Sequence, residues 1–535
     1  DEGCPMNSLA SVLIADPIHA SGREILDGDA RFRVDVDTEL DEEALMGRIG
    51  DYDALIVRSK TKVTRPLIEA ATRLRAIGRA GIGVDNIDIP SATERGIVVF
   101  NTPDSNATTT AELSIAHLLS LSRNLPQADR AVRTGNWKPS RYSGVELSGK
   151  TIGVIGFGTI GRLVAERCVS LKMRVLAHDP FIAPEIMAEH GAEGLDLETL
   201  LAEADYVTLH CPLTDKTHHL LDGPRLRSMK QGARVINCAR GGLVDDAALL
   251  EALQSGHLAG AALDVFETEP PTGSPLLDLD SVVLTPHLGA STEEAQKAVS
   301  LRIAEDMVKF LTTGAAETAV NLPRVSSDQL TQTVPYQKLA FALGRLVGSL
   351  CEGPISRLDV RLFGRVVELD SRPITAEALV GLLSQRMTGR VNRVNAGHLA
   401  KSQGIELTES KTEEARDFLS LVEISAECCG QTSTVAGTLL GGSRARLVRI
   451  DGYDVEAVPE GAFLFTRHQD EPGVVGALGS ILGREKINIS RMQVGIGEDP
   501  TMAIALISIS APLPTAAMEE IRLLPPIKQV VSFEL

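Results

Sequence analysis

The sequence predicts an α/β protein of three or four domains, and three observations carry that expectation. The chain has 535 residues, too many for one ordinary hydrophobic core. Its first 325 residues hold short, continuous apolar runs, as in strands covered on both faces, and helical stretches separate them, which makes the sheets parallel. Past Ser326 the character changes to helices followed by successive antiparallel strands.

The composition is globular, at 43% hydrophobic and 23% charged residues. Only 3% of residues are aromatic, so the cores must be built from Ala, Val, Leu and Ile. A net charge of −18 excludes general binding to nucleic acid or to an anionic membrane, and an anionic substrate needs a local basic pocket. The seven cysteines (Cys4, Cys168, Cys211, Cys238, Cys351, Cys428 and Cys429) show no CxxC pair and no zinc spacing. A reduced, metal-free protein of the cytoplasm is expected. No apolar stretch approaches the roughly 20 residues that span a bilayer. Asp1–Pro5 lack the basic end and apolar core of a signal peptide, and read as a variable start ahead of Met6.

Along the chain, VLIAD (Val12–Asp16), ALIVRS (Ala54–Ser59) and IVVFN (Ile97–Asn101) are strands of the first sheet. A helix follows over Ala107–Arg123, then a polar loop to Lys150. A second series comprises TIGVIG (Thr151–Gly156), RVLAHD (Arg174–Asp179), YVTLHC (Tyr206–Cys211), ARVINCA (Ala233–Ala239), AGAALDVF (Ala259–Phe266) and SVVLTPH (Ser281–His287). Six strands with intervening helices is the layout of a Rossmann domain. A helix over Thr292–Thr312 ends near Gly314, and AVNLP (Ala319–Pro323) reads as a last strand that rejoins the first unit. Further on, Thr333–Leu350 and much of Pro373–Leu407 are helical, and FLSLVEISAE, QTSTVAGTLLGG and RARLVRIDGYDVEAVP are antiparallel strands. From Gly461 the order is βαββαβ.

Gly156-Phe-Gly158-Thr159-Ile160-Gly161 is G-x-G-x-x-G, placed between a β-branched strand and a helix. Gly156 makes the tight turn, Gly158 admits a pyrophosphate and Gly161 permits close helix packing, with the helix N-terminus facing the phosphates. Asp179, at the end of the next strand, would accept the adenosine ribose hydroxyls and repel the extra phosphate of NADP. The cofactor read from this pattern is NAD.

Arg240, Glu269 and His287 stand at or just past the ends of late strands, the edge where open α/β sheets bind ligands. Oxidising a 2-hydroxy acid needs a carboxylate anchor, a proton acceptor and a group that holds that acceptor. Arginine, histidine and glutamate are suited to those tasks in turn. Taken singly, each has a bland reading as a strand cap, a core imidazole or a turn acid.

The set gains meaning from its surroundings. The fingerprint, MKQGARVINCARGGLVD (Met229–Asp245), AALDVFETEP (Ala261–Pro270) and TPHLGAST (Thr285–Thr292) resemble the signature blocks of the D-isomer-specific 2-hydroxyacid dehydrogenases, over residues 10–325. The resemblance implies that Arg240 binds the substrate carboxylate, His287 is the general acid/base and Glu269 orients it. It implies a dinucleotide site of Gly156, Gly158, Thr159, Ile160, Gly161, Asp179, Cys211, Cys238, Ala239, Arg240, Asp264, His287, Gly289 and Ala290, with Asp264 at the nicotinamide carboxamide. RSKTKV (Arg58–Val63) and GRAGIGVDNID (Gly78–Asp88) resemble substrate loops of a branch acting on a phosphorylated hydroxy acid, with Arg58, Ser59, Gly81, Ile82, Gly83 and Arg240 on the substrate.

The implied fold is a Rossmann-type NAD domain (107–299) inserted in a flavodoxin-like substrate domain (7–106, returning over 300–327). An α+β intervening domain (328–459) and a ferredoxin-like ACT domain (460–535) follow. The two extra units imply oxidation of 3-phospho-D-glycerate with NAD, opening L-serine synthesis, in a homo-oligomer expected to be a tetramer. The alternatives are a hydroxypyruvate or glyoxylate reductase and a non-catalytic NAD-sensing regulator. For the ACT-like unit, serine bound at His468, Asp470 and Asn488 stands against a purely structural wedge. Arg444, Arg446 and Arg449 read either as a second anion site or as strand decoration.

Overall fold

The first sheet of the computed structural model, which describes residues 9–103, 105–322, 327–414, 417–497 and 499–535, is parallel throughout. Its strands are β1 (Ala10–Ile14), β2 (Phe32–Val36), β3 (Ala54–Val57), β4 (Ala76–Arg79) and β5 (Val98–Phe100), in the order β2-β1-β3-β4-β5. That is the flavodoxin-like order, with its switch point between β1 and β3. The readings of Asp1–Pro5, including Cys4, and the end of the expected strand at Pro323 lie outside the described residues.

The second sheet holds β6 (Thr151–Ile155), β7 (Arg174–His178), β8 (Ala192–Gly194), β9 (Tyr206–Leu209), β10 (Arg234–Asn237), β11 (Gly260–Leu263) and β12 (Val282–Leu284). All seven run parallel in the order β12-β11-β10-β9-β6-β7-β8, the Rossmann arrangement with one strand more than the six expected. The addition, β8, is three residues long and lies at an edge, too short for a hydrophobic pattern. The strands also end earlier than their apolar runs do. β11 stops at Leu263 because Asp264 turns its carboxylate to other work.

The helix Glu293–Thr313 crosses back to the first sheet. Its Val299, Ile303, Ala304 and Met307 share one core with Val12 and Ile14 of β1. It runs so close to the helix Ala20–Asp27 that a Cβ on Gly22 would lie 2.4 Å from the Ser300 carbonyl oxygen. Two sequence expectations fail nearby. The stretch from Ala319 is no strand: it makes a single antiparallel bridge to Phe100. The side chain of Asn321 does the pairing instead, accepting from Val99 N–H and donating to the Ile97 carbonyl. The loop expected after Arg123 contains a helix, Leu125–Arg133, which starts where Asn124 takes a left-handed turn (φ 51°) and Pro126 fits the first turn.

The third sheet orders β13 (Ile355–Gly364), β14 (Glu406–Thr412), β15 (Ser420–Cys428), β16 (Gln431–Leu440), β17 (Arg444–Ile450) and β18 (Tyr453–Ala457) as β14-β13-β15-β16-β17-β18. The fourth, of β19 (Ala462–Gln469), β20 (Ile489–Ile496), β21 (Met502–Ile509) and β22 (Ile527–Glu534), is antiparallel in the order β20-β21-β19-β22, with helices Val474–Arg484 and Thr515–Arg522. This is the ferredoxin-like βαββαβ unit. Among the described residues, no helix is long and apolar enough to cross a membrane, and no group of three or more His, Cys, Asp or Glu is placed to hold a metal.

Two helices cover the third sheet, Ser327–Leu350 and Arg372–Ser384, and glycines let them touch backbone to backbone. A Cβ on Gly381 would lie 2.1 Å from the Phe341 carbonyl oxygen, and one on Gly344 2.1 Å from that of Ala378. Gly381→Val should therefore cost about 1–3 kcal/mol or more, because the helices must part to admit it. Denaturant unfolding monitored by circular dichroism checks this, and an unchanged midpoint contradicts it.

Candidate active site

The carboxyl ends of β10, β11 and β12 converge on one cluster. After β11, Asp264 is fully buried, and its carboxylate accepts from Thr285 Oγ1 (2.6 Å) and from the N–H groups of Leu288 (2.7 Å) and Gly289 (3.0 Å). Its carbonyl accepts from His287 N–H at 3.0 Å. Asp264 thus folds the Thr285–Gly289 loop and presents His287, whose backbone is left-handed (φ 55°). The sequence suggested a cofactor contact for Asp264 and gave no sign of this structural task.

His287 Nδ1 donates to Glu269 Oε2 at 2.8 Å, which fixes the tautomer that leaves Nε2 available for proton transfer. Glu269 Oε1 accepts from Phe266 N–H at 3.2 Å. Burial pushes the Glu269 carboxyl up. The hydrogen bond and charge of His287, the Phe266 N–H and the nearby Arg240 together outweigh that, so it stays below the usual glutamate range.

Arg240, after β10, is held by Asp85 (Nε to Oδ2, 2.8 Å) and by the Ala239 carbonyl (2.7 Å). It lies across Gly83, where a Cβ would be 2.1 Å from Nη2. Beside it runs Arg79, at the end of β4, whose Nη1 would meet a Cβ on Gly81 at 1.5 Å. Gly81 and Gly83 are glycines because two guanidinium groups occupy the space of their side chains. Burial first, then the neighbouring Arg240 and Arg58, push Arg79 down to about 10, and its buried Nε has no partner. Arg79 and Asp85 lie in the segment Gly78–Asp88 read as a substrate loop, but neither was given a role from the sequence.

The loop carrying Arg58 and Ser59 is tied to the first sheet by Asp16, fully buried at the end of β1, which accepts from Arg58 N–H (2.6 Å), Thr61 N–H (3.1 Å) and Thr61 Oγ1 (2.7 Å). Asn86 adds bonds to the carbonyls of Arg58 and Thr61. Ile82 offers its carbonyl to Asn101 rather than a side chain to the cluster. Arg58, Arg79 and Arg240 stand close enough to feel one another's charge, which is the local basic pocket the acidic chain requires.

The fingerprint shows the division of labour expected of its glycines. Gly156 is at φ 91°, with the His210 carbonyl 2.6 Å from where its Cβ would be, and a Cβ on Gly161 would lie 2.1 Å from the Gly156 oxygen. At Gly158 a Cβ would meet nothing within 4 Å. Gly158 is also the N-cap of the helix Thr159–Ser170, which has no side-chain cap, so the first-turn N–H groups face that open space. A pyrophosphate fits there. Asp179 accepts from Phe157 N–H (2.8 Å) and Phe181 N–H (2.9 Å), which sets it against the fingerprint at the end of β7. Cys211, Cys238, Ala239 and Ala290 lie on the loops after β9, β10 and β12. Burial pushes the Cys211 thiol up to about 11 and that of Cys238 to about 12, so both stay protonated and unreactive.

The expected effector residues divide. His468 belongs to β19 rather than to the turn, and is buried with its ring on Thr466 Oγ1, because strand alternation turns it inward. Asp470 and Asn488 are exposed at the two ends of the helix unit Val474–Arg484. Arg449 is committed to Asp417 (3.3 Å) and Asp454 (3.1 Å), whereas Arg444 and Arg446 face a cleft of ≈ 1450 Å³ together with Arg75, Arg390 and Arg393.

Compared with known proteins, residues 115–289 match the family model for the D-isomer specific 2-hydroxyacid dehydrogenase NAD binding domain, and residues 332–451 that for the D-3-phosphoglycerate dehydrogenase intervening domain. The chain is 40% identical over 528 residues to the D-3-phosphoglycerate dehydrogenase of Methanocaldococcus jannaschii, covering 98% of this chain and 100% of that one. To the Synechocystis enzyme of the same name it is 42% identical over 515 residues, covering 96% and 93%. Of solved structures, the NAD-dependent formate dehydrogenase from Staphylococcus aureus in complex with NAD shares 30% identity and a TM-score of 0.53, over 56% of this chain and 96% of that one.

The different surroundings of two glycines separate binding from folding. Gly158→Val should lose NADH binding, read by fluorescence titration, while keeping the parental melting temperature. Gly161→Val should lower the melting temperature as well, since its side chain strikes the Gly156 carbonyl. Parental NADH affinity in Gly158→Val removes that position from the phosphate site.

Proposed function

The chain belongs to the D-3-phosphoglycerate dehydrogenase family, and we propose on that premise that it oxidises 3-phospho-D-glycerate to 3-phosphohydroxypyruvate with NAD, the first step of L-serine biosynthesis. The observation that carries the reading is the Glu269–His287 pair at 2.8 Å with Arg240 beside it, at the edge of a sheet bearing an NAD fingerprint. NAD bound at the fingerprint supplies the two-electron acceptor for the C2 hydrogen. Asp179 takes the adenosine ribose, and the N–H groups after Gly158 take the pyrophosphate.

The remaining work falls to side chains. Arg240, fixed by Asp85, grips the substrate carboxylate through its planar fork. Neutral His287 takes the C2 hydroxyl proton at Nε2, and Glu269 stabilises the imidazolium that results. Arg58 and Arg79 hold the phosphate, with Ser59 and the backbone at Gly81–Gly83 around it. The two half-buried arginines raise the local potential so that a doubly charged anion is favoured. A cytoplasmic homotetramer belongs to the same proposal.

Purified protein should form NADH with 3-phospho-D-glycerate, far faster than with unphosphorylated D-glycerate. His287→Ala should lose about 10²–10⁴-fold in kcat while binding NADH normally. Glu269→Gln removes the negative charge that stabilises the imidazolium formed in the reaction, and should lower kcat while NADH affinity stays parental. Near-parental turnover in His287→Ala would falsify the assignment.

The terminal unit is proposed to bind serine between two paired copies of the chain, with Asp470 of one supplying an acid for the amino group and Asn488 of the partner subunit an amide for the carboxylate. His468 acts only as support behind them. Millimolar serine should inhibit the parent, and Asp470→Ala should lose the inhibition at unchanged turnover. Calorimetry without heat in the parent leaves the unit structural.

A further inference from the structure

We propose that His219 is a positioning residue, a clasp that holds the loop carrying Arg240 against the loop carrying Glu269; the inference rests on the roles given to those two residues above. His219 N–H donates to the Gly242 carbonyl at 2.7 Å, and its Nε2 pairs with Glu267 Oε1 at 2.8 Å. One residue therefore grips both loops, through its backbone on one side and its ring on the other. Gly242 is two residues past Arg240, and Glu267 is two residues before Glu269.

The loops it joins touch without a side chain between them. A Cβ on Gly241 would lie 1.8 Å from the Phe266 carbonyl oxygen, so a small slip of either loop is passed directly to the other. Phe266 N–H donates to Glu269 Oε1, and this links the contact to the carboxylate that seats His287. The ring of His219 is itself held. Its backbone is left-handed (φ 49°), and His218 stacks on it at 3.9 Å between centroids and 26° between planes.

Electrostatics gives the clasp its necessity. Asp245, Asp246 and Glu267 gather behind Glu269. His219 Nδ1 stands 3.8 Å from Asp245 Oδ2, the N-cap of the helix Asp246–Gln254, while its Nε2 answers Glu267. Burial first, then Glu267 and Asp245, push the Asp246 carboxyl up to about 6, which shows how crowded with negative charge this corner is. Without the imidazole Glu267 loses its 2.8 Å hydrogen bond, and the segment Phe266–Glu269 loses its side-chain tie to the Arg240 loop. Glu267 and His219 are each about one-third exposed, and among the described residues their side chains meet one another, Asp245 and the Asp246 N–H, so their part is to place Arg240 and Glu269.

The test compares the parent with His219→Ala and His219→Gln in steady-state oxidation of 3-phospho-D-glycerate, NADH titration and thermal melting. Misplaced catalytic groups cost up to about a hundredfold, so His219→Ala should lose roughly ten- to a hundredfold in kcat/KM, with NADH affinity parental because the fingerprint is held elsewhere. His219→Gln keeps a donor for Glu267 and should recover most of the rate. Parental kcat/KM in His219→Ala overturns the clasp. So does a joint fall of rate, NADH affinity and melting temperature that glutamine does not rescue, since that marks a merely structural residue. A parent with no NAD-dependent oxidation overturns instead the assignment on which the clasp rests.

Discussion

The site depends on a buried carboxylate that accepts three hydrogen bonds at the end of a strand. Asp264 has no exposed surface, and an unpaired carboxylate there would be prohibitive. It is tolerated because Thr285 Oγ1 and the N–H groups of Leu288 and Gly289 converge on it. Satisfying that charge dictates the path of the loop, and the loop path dictates where His287 stands. The N–H of Asp264 donates to the Asn237 carbonyl, while Asn237 Nδ2 donates to the Arg240 carbonyl. The ends of β10, β11 and β12 are thereby set against one another by buried polar groups.

The first sheet solves the same problem in the same way. Asp16, equally buried at the end of β1, binds two backbone N–H groups and one hydroxyl of the Arg58–Thr61 segment. Both loops are therefore placed before any ligand arrives, which is where preorganised catalysis finds its advantage. Two of the pocket's three arginines, Arg79 and Arg240, are handled differently. They lie over glycines, with Arg79 partly deprived of partners, so that the pocket keeps positive charge within a chain of net charge −18. An anion entering it gains more than it would at an exposed arginine.

Sequence made the fingerprint and the strands of the two parallel sheets legible because their signals are local: continuous apolar runs, glycines at fixed spacing, and one acid at a strand end. Edge strands such as β2 and β14 escaped because one face is solvated, and β4 because it is four residues with a glycine. The expected strand at Ala319 had the right propensity, but the Asn321 amide took the ladder positions, a choice that only tertiary context decides. Arg240, Glu269 and His287 were recognisable through the blocks around them. Asp16, Arg79, Asp85 and His219 were not, since each acts through partners distant in the chain. His468 was misplaced by one step of strand alternation, which turned a presumed ligand into core.

The terminal sheet is bound to the third sheet through a common interior. Phe463, Phe465, Ile504, Leu506 and Phe533, on the face without helices, belong to the same core as Leu343, Val347 and Leu358. Gln529 Nε2 donates to the Leu350 carbonyl at the end of the long helix, and Arg467 pairs with Asp451 in the β17–β18 turn. The third-sheet unit in turn reaches the first sheet, where Asn392 donates to the Gly96 carbonyl (2.7 Å) and Arg390 to that of Leu74 (3.1 Å). A close-packed interior does not deform continuously. A ligand on the exposed side of the terminal sheet must therefore either shear this shared core or carry the whole C-terminal block with it. The second path loads a few hydrogen bonds to the helix Ile89–Glu94 and its flanks, which adjoin the strands bearing Arg79 and the Arg58 loop. Moving the block as a unit leaves the core shared by the third and fourth sheets intact.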